Sequence, residues 1–458
     1  MLTTVSILAF VAVQLAIGWW ASRRIKGETD YLIAGRRLGW WAAGFSLFAT
    51  WFGAESVMGA SAAIADEGLA GGRADPVGYA IVLIVLGLFL AGPMRRTEAV
   101  TLPDMFGKRY GPTVERVTAL LIIPTSLIWA GAQIRALGQI VSVQSDLGVD
   151  TAILIATACV VAYTTMGGLI GDVMTDLIQG VILVVGVSVL AVMLVVKAGG
   201  PAEAFASITP DQLRLVAPGE SFLTRIDTFA VPIIGALIVQ ETISRVLGCR
   251  SAGVARKAAL FGGGLYLLFG SVPVLIGLLG RHAGLDLGEG EEFVPVLARQ
   301  VLSPVLLVIF MGSMIAVILS SVDSALLAVG AIVSHDVTPM LRRGSTDRTR
   351  LVWARAAVAT AGVLSGMIAL AADSIFGLVL FADSLGTAGV AVVGVMALFT
   401  RFGGAWAAIT TLVVAWTASI VFEYVWPIEA PFLLSLALAA VTYPCVALVE
   451  SASKPAVA

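Results

Sequence analysis

Charge is what this 458-residue chain has least of. Only 13% of its residues are Asp, Glu, Lys or Arg, while 59% are hydrophobic and the mean hydropathy is +0.98. A soluble globular domain carries roughly 25% charged residues, so most of this surface is expected to face lipid or other membrane-buried helices. The formal net charge of −2 says nothing about nucleic acid, and no basic cluster alternates with aromatics to point to such an interface. The three cysteines, Cys159, Cys249 and Cys445, lie far apart in or near apolar runs, with neither metal-ligand spacing nor a disulfide framework. The two histidines, His282 and His335, fall at predicted helix ends and read as solvated or capping groups. No Ser/His/Asp set, metal cluster or phosphate loop is found at membrane depth, so an intramembrane enzyme has no constellation to work with. No cleavable leader is expected either. In MLTTVSILAFVAVQLAIGWWASRR the charges follow the apolar run, and the segment reads as a first membrane span.

What is there is a series of apolar runs long enough to cross ~30 Å of hydrocarbon at ~1.5 Å per residue. Thirteen are found: 4–22, 41–66, 76–94, 114–142, 150–166, 169–197, 226–247, 255–280, 298–333, 351–371, 375–399, 404–425 and 431–450. Lys and Arg concentrate in alternate loops, as in Arg23–Arg37, Arg95–Arg109, Arg245–Lys257 and Arg342–Arg355. The positive-inside rule then puts the N-terminus outside and the C-terminus in the cytoplasm of an inner-membrane protein. The segment 198–225 reads as a loop with a short helix on the opposite side, a plain connector, and no soluble domain is expected at either end.

The second run, WAAGFSLFATWFGAESVMGASAAI over Trp41–Ile64, fails as a transmembrane helix in its middle. Gly53, Ala54, Glu55 and Ser56 sit near half depth, where a carboxylate is costly and glycine lets the backbone unwind. Unwound polar backbone at that depth is tolerated only where it lines a cavity, and it points to substrate and ion sites of carriers. The seventh run is interrupted likewise, at Gly235 and Gln240–Glu241–Thr242. Two blocks of five spans follow, 41–197 and 226–400, each opening on a break and each inverted relative to the other because five is odd. Residues 1–40 hold one extra span before them and 401–458 two after.

The densest polar constellation is Ser320–Ser321–Val322–Asp323–Ser324, four oxygen-bearing side chains in five positions of an apolar run. A single membrane serine usually bonds its own preceding turn. Four such oxygens suit a hard cation, and no His or Cys accompanies them to suggest zinc.

Five motifs carry a resemblance: DYLIAGRRLGWW (Asp30–Trp41), SLFATWFGAES (Ser46–Ser56), TLPDMFGKRYG (Thr101–Gly111), AYTTMGGLIGDVMTDLIQG (Ala162–Gly180) and SSVDSALLAVGAIVSHDV (Ser320–Val337). In this order and over nearly the whole chain they resemble the sodium:solute symporter family. The resemblance implies an all-α LeuT-like inverted-repeat fold of about thirteen helices. It implies a sodium site made by the main-chain oxygens of Ala49, Phe52 and Val317 with the hydroxyls of Ser320 and Ser321. A second cation site would use Asp176, with Ser320, Asp323 and Ser324 as its partners. Where other members carry a hydroxyl, this chain has Asp323, which could strengthen that site or bind a proton instead; Asp176 could equally be a structural cap.

The implied solute site takes Trp51, Gly53, Glu55 and Ser56 from the first break, Trp129, Gln133 and Arg135 from span four, and Gln240, Glu241 and Thr242 from the second break. Tyr79 and Phe381 are weaker candidates. Arg135 either holds a substrate carboxylate or pairs internally with Glu55 or Glu241, the latter being favoured because a buried cation needs an anion. Arg245 is expected to cap its helix at the membrane surface. Sugar-carrying members use an amide on the tenth repeat helix, and GLVLFADSLGTAGVAVVG here has none.

The function expected is sodium-driven import of a small polar organic solute, an amino acid or carboxylate, by alternating access. The expected partners are the solute, Na⁺ and the bilayer, with no cofactor and no obligatory protein. A proton-coupled carrier on the same fold and a non-transporting membrane sensor stay open as alternatives.

Overall fold

A computed structural model describes Ala16, Arg23 and residues 27–145, 147–281, 292–338 and 346–452. The first apolar run, 4–22, lies outside these apart from Ala16. Among the described residues the chain is helical throughout, with a single isolated bridge between Leu38 and Cys249.

Among the described residues nine helices are long and apolar enough to cross a membrane, or eleven when two bent pairs each count as one span. The count of thirteen is therefore not confirmed. The broken second run is helical on both sides of its break but too short on each side to qualify alone. Its first arm, α1, is Trp40–Trp51; a π-helical segment Glu55–Ala60 leads into the second arm, α2 (Ser61–Glu67). The helices that shape the site then follow as α3 (Val77–Val85), α4 (Pro112–Gln144), α5 (Val149–Lys197), α6 (Phe222–Ala230), α7 (Gln240–Gly248), α8 (Ala252–Gly280), α9 (Pro304–Ile332), α10 (Asp347–Ala371), α11 (Ile375–Ser384) and α12 (Thr387–Phe399). The predicted run 298–333 is not one helix. Phe293–Val301 ends before Ser303, and Pro304 opens α9, where its missing N–H and fixed φ suit a first helical turn.

Three interruptions set the architecture. After Trp51 the backbone leaves the helix at Phe52, with φ −90° and ψ 72°. The pair Phe222–Gly235 and Gln240–Gly248 bends by 40°, and so does the pair α11 and α12. The last bend falls at Gly386, φ +70°, and splits a run that the apolar pattern alone presents as continuous.

Close helix approach is built from small residues. A Cβ on Gly44 of α1 would collide with the carbonyl of Ala258 on α8, and one on Gly262 of α8 with the carbonyl of Gly44. α5 is two spans merged across Gly168, whose φ of 59° and ψ of −177° lie in territory essentially reserved for glycine. Gly168→Ala is expected to cost about 1–3 kcal/mol. Its Cβ would also meet the Tyr31 ring. The check is the thermal unfolding midpoint in detergent, which should fall by several degrees; an unchanged midpoint would show that the kink relaxes freely.

The segment 198–225 contains the expected short helix, Pro201–Ser207, and α6 begins at Phe222. It is more than a connector. Arg73, in the turn beyond α2, donates to the Leu215 carbonyl at 2.8 Å and to the Glu220 carboxylate in a two-pronged pair. The Arg73 hydrogen bonds hold the Glu220 carboxyl below its ordinary pKa. At the opposite end of the bundle Arg36, Arg95 and Lys108 gather round Glu98 and the Cys249 carbonyl, which marks one face as arginine-rich.

Candidate functional site

The end of α1 lies against α9, α5 and α7. There the five residues expected to hold sodium meet in part. Ser321 Oγ donates to the Thr50 carbonyl at 3.3 Å, so α9 reaches the last turn of α1, the turn that carries Ala49 and Phe52. Ser320 Oγ donates to Asp176 on α5. That bond points the hydroxyl hydrogen away and leaves the Ser320 oxygen lone pairs open on its other side. Val317 lies one turn before Ser321 on the same buried helix. Neutral carbonyl and hydroxyl oxygens at a helix break are the donor set a small alkali ion prefers.

Of the residues grouped as a second cation site, Asp176, Ser320 and Ser324 come together, and Asp323 does not join them. Asp176 accepts from Ser46 and Ser320 and pairs with Arg245 at 3.2 Å. Ser324 accepts from Arg245 at 2.6 Å and donates to its own Ser320 carbonyl at 2.9 Å. Asp323 accepts from Thr164 instead. The reason is helical phase: consecutive residues turn by about 100°, so Ser320 and Ser324 share a face that Asp323 does not.

Arg245 also departs from expectation. It caps nothing at a membrane surface: its side chain is 1% exposed. Nη2 reaches Asp172 at 2.7 Å as well as Asp176, Nε donates to Ser46 at 2.7 Å, and Nη1 to the Glu241 carbonyl at 3.1 Å. One guanidinium thus ties α1, α5, α7 and α9 together in the interior.

Above this cluster the three breaks enclose a small chamber of about 20 Å³, room for about one water molecule. Its walls include Trp51, Trp129, Glu241 and Asp383. Trp51 stacks on Tyr79 with centroids 5.3 Å apart and lies 6.1 Å from Trp129. Its Nε1 donates to Thr242 at 2.9 Å, so the first two breaks are joined through one indole. Tyr266 of α8 completes the aromatic side, 6.0 Å from Tyr79.

Four carboxylates surround these rings, each at most 8% exposed. Glu55 accepts from Gln133 Nε2 at 2.7 Å, and Asp75 from Ser56 at 2.5 Å and Tyr266 at 3.2 Å. Glu241 accepts from Ser126 at 2.6 Å, and Asp383 from Tyr79 at 2.7 Å. Among the described residues none of the four forms an ion pair. Arg135 in particular pairs with neither Glu55 nor Glu241. Its Nη atoms donate to the carbonyls of Ala369 and Asp373, each at 3.2 Å, and its Nε has no partner.

The remaining candidates scatter. Gln133 also accepts from the Ala54 N–H at 3.3 Å and so latches the break. Gly53 leaves no room for a side chain beside the Glu55 carboxylate. Gln240 turns from the chamber to accept from Leu102 N–H at 2.7 Å. Phe381 packs edge-on to Tyr424, 5.4 Å away, on the far side of α11 from Asp383. There it borders a separate opening of about 870 Å³ between α6, α11 and the helix Pro431–Ala452.

Comparison with known proteins then decides the family. The family model described as "Sodium:solute symporter family" matches residues 31–414. The chain belongs to that family. It is 28% identical over 394 residues to the high-affinity choline transporter 1 of Drosophila melanogaster, covering 82% of this chain and 63% of that protein, just under two thirds of its length. It is 28% identical to the human high affinity choline transporter 1, over 82% of this chain and 68% of that one. The high-affinity proline transporter PutP of Bacillus subtilis is 26% identical over 87% of this chain and 88% of its own. Among solved structures, a Na⁺-coupled sialic acid symporter in a substrate-bound outward-open state superposes with a TM-score of 0.82 at 17% identity, covering 98% of both chains. Inward-facing Mhp1 gives 0.57 at 19% identity, over 90% of this chain and 91% of that one. These likenesses establish the LeuT-type fold.

Within this family member, sequence reading missed Asp75, Asp172, Asp383 and Tyr266. The three acids did leave a signal, each a charge in or beside an apolar run. Tyr266 left none, because an aromatic in an apolar helix looks like packing.

Proposed function

We propose that this chain is a sodium-coupled symporter whose solute is a small organic cation, a quaternary ammonium or a protonated amine. The observation that carries this reading is the wall of Trp51, Tyr79 and Trp129 facing Glu241 and Asp383, which have no ion-pair partner among the described residues. Aromatic faces attract cations, by ~2 kcal/mol or more once water is removed, and an unpaired buried carboxylate supplies the countercharge a cation needs. The expectation of an amino acid or carboxylate leaned on Arg135, and Arg135 bonds backbone carbonyls instead. The choline transporters among the relatives support the same chemistry.

In this reading sodium is cargo. It bridges α1 and α9 at Ala49, Phe52, Val317, Ser320 and Ser321, and so holds the first break in a solute-binding shape. The blocks 41–197 and 226–400 act as inverted repeats, supported by the breaks that open each of them. The arginine-rich face is cytoplasmic, with the N-terminus outside the inner membrane. The chamber has room for about one water, so solute entry requires α2, α6 and α11 to part. Inward movement of sodium and a cation is favoured by ~2.3 kcal/mol per charge per 100 mV. No covalent step, cofactor or protein partner is assigned.

The test is a thermal-shift screen of the purified protein in NaCl and in KCl, against quaternary ammonium compounds, amines, zwitterions and monocarboxylates. A ligand present at ~100 Kd stabilises by about 2.7 kcal/mol. Stabilisation by a cation, and only in sodium, is the expected result. Stabilisation by proline or a monocarboxylate with none by cations would sink the cation reading. Uptake into proteoliposomes that ignores sodium and follows a pH gradient would select the proton-coupled alternative, and binding without uptake the sensor.

A further inference from the structure

A second void of about 20 Å³ lies beside the chamber, and Thr125, Ser126 and Glu241 wall both. Trp416 also lines it, from α13 (Ala405–Ile420), a span beyond the two blocks of five. The Trp416 Nε1 atom is buried and has no hydrogen-bond partner among the described residues. Buried indole N–H groups usually find an acceptor, and at membrane depth no solvent stands by to supply one. Its position gives the exception a meaning. A Cβ on Gly386 would come within 2.5 Å of Trp416 Cδ1, the ring carbon bonded to Nε1. The Gly386 N–H donates to Ser419 Oγ, one turn further along α13, at 3.1 Å. Asp383 lies three residues before Gly386. The unmet donor thus stands at the third break, which also carries a chamber carboxylate.

Chemistry narrows what this void can take. An indole N–H only donates, and the ring edge is the positive side of its quadrupole. It calls for an oxygen and repels a cation. The void has room for about one water, so the group it accepts is a single oxygen on a short arm. A negative oxygen is disfavoured, because the Glu241 carboxylate walls the same space. A hydroxyl suits both walls: it accepts from the indole and donates to the carboxylate. Resting on the organic-cation reading above, we propose that this void is an oxygen subsite of the solute site. The solute is then an amino alcohol or its quaternary form. Its ammonium lies against the wall of Trp51, Tyr79 and Trp129, and its hydroxyl accepts from Trp416 Nε1.

The experiment uses the full chain in detergent, with NaCl present, and two probe pairs in which a methyl replaces the hydroxyl. One is choline against trimethylpropylammonium, the other ethanolamine against propylamine. Half-saturating concentrations are read from unfolding midpoints across each titration. In at least one pair the hydroxyl compound should bind the wild type about tenfold more tightly. Trp416→Phe keeps an aromatic ring against the break and removes the donor. It should weaken the hydroxyl compound about tenfold and leave its methyl counterpart unchanged, so that the two bind alike. A merely structural tryptophan predicts that both members of the pair shift together, or that neither does, and that result overturns the assignment. If the phenylalanine variant does not fold, the wild type still decides. Equal affinity within both pairs removes the oxygen subsite and leaves the cation reading standing. A wild type stabilised by no member of either pair removes the cation reading itself, and this subsite with it.

Discussion

Replacing Arg245 with methionine is expected to destabilise the protein by about 3–5 kcal/mol, the usual consequence of deleting one partner from a buried charge cluster. Asp172 and Asp176 would be left facing each other with no cation, at 3% and 0% exposure. Ser46, Ser324 and the Glu241 carbonyl would each lose a donor at the same time. Four helices depend on these bonds, so the effect should appear as a collapse of monodisperse yield and a low unfolding midpoint. Neutralising both acids as well, in Arg245→Met with Asp172→Asn and Asp176→Asn, should restore much of the loss, because the larger part of the penalty is stranded charge. If Arg245→Met folds as stably as the wild type, the cluster does not hold the bundle together.

The same residue shows where sequence reading ran out. Glu55 beside Gly53, and Gln240–Glu241–Thr242, stand out in one dimension because acids and amides are scarce in apolar runs; both breaks were legible. The pair Ser320–Ser321 was legible for the same reason. The third break was not, because its only mark is Gly386 among 49 glycines. Arg245 sits one and a half turns beyond the second break, close enough to a loop for surface capping to be the cheaper explanation. Only the packing of α5 against α7 shows that Asp172 and Asp176 await it there. Asp323 illustrates the converse. Adjacent in sequence to the serines, it is turned by helical phase toward Thr164, and a cluster in a string is not a cluster in space. Arg135 was legible as a buried cation, yet its partners are carbonyls of α10 and the turn after it, which no side-chain pattern records.

Removing the hydroxyl of Ser321 should roughly halve the sodium response while leaving the fold intact. In the structure that hydroxyl makes one contact of note, with the Thr50 carbonyl at 3.3 Å. Ser321→Ala therefore strands no buried charge, unlike changes at Ser320, whose partner is Asp176. At a sodium concentration 100 times its Kd, the wild type would gain about 2.7 kcal/mol from the ion, and a variant binding tenfold more weakly about 1.4 kcal/mol. The difference is about one to two degrees of midpoint shift, readable in the sodium titration without any solute. Ser321→Thr, which keeps an oxygen at the same place, should retain most of the response. The double variant Ser320→Ala with Ser321→Ala should lose it altogether and carry its solute no better in sodium than in potassium. These contrasts separate ligation from packing: packing predicts that alanine and threonine shift the sodium-free midpoint, whereas ligation predicts that they part company only as sodium is added. Full sodium stimulation of uptake in the double variant would mean that the ion crosses elsewhere, and that the meeting of α1 with α9 serves the fold and not the coupling.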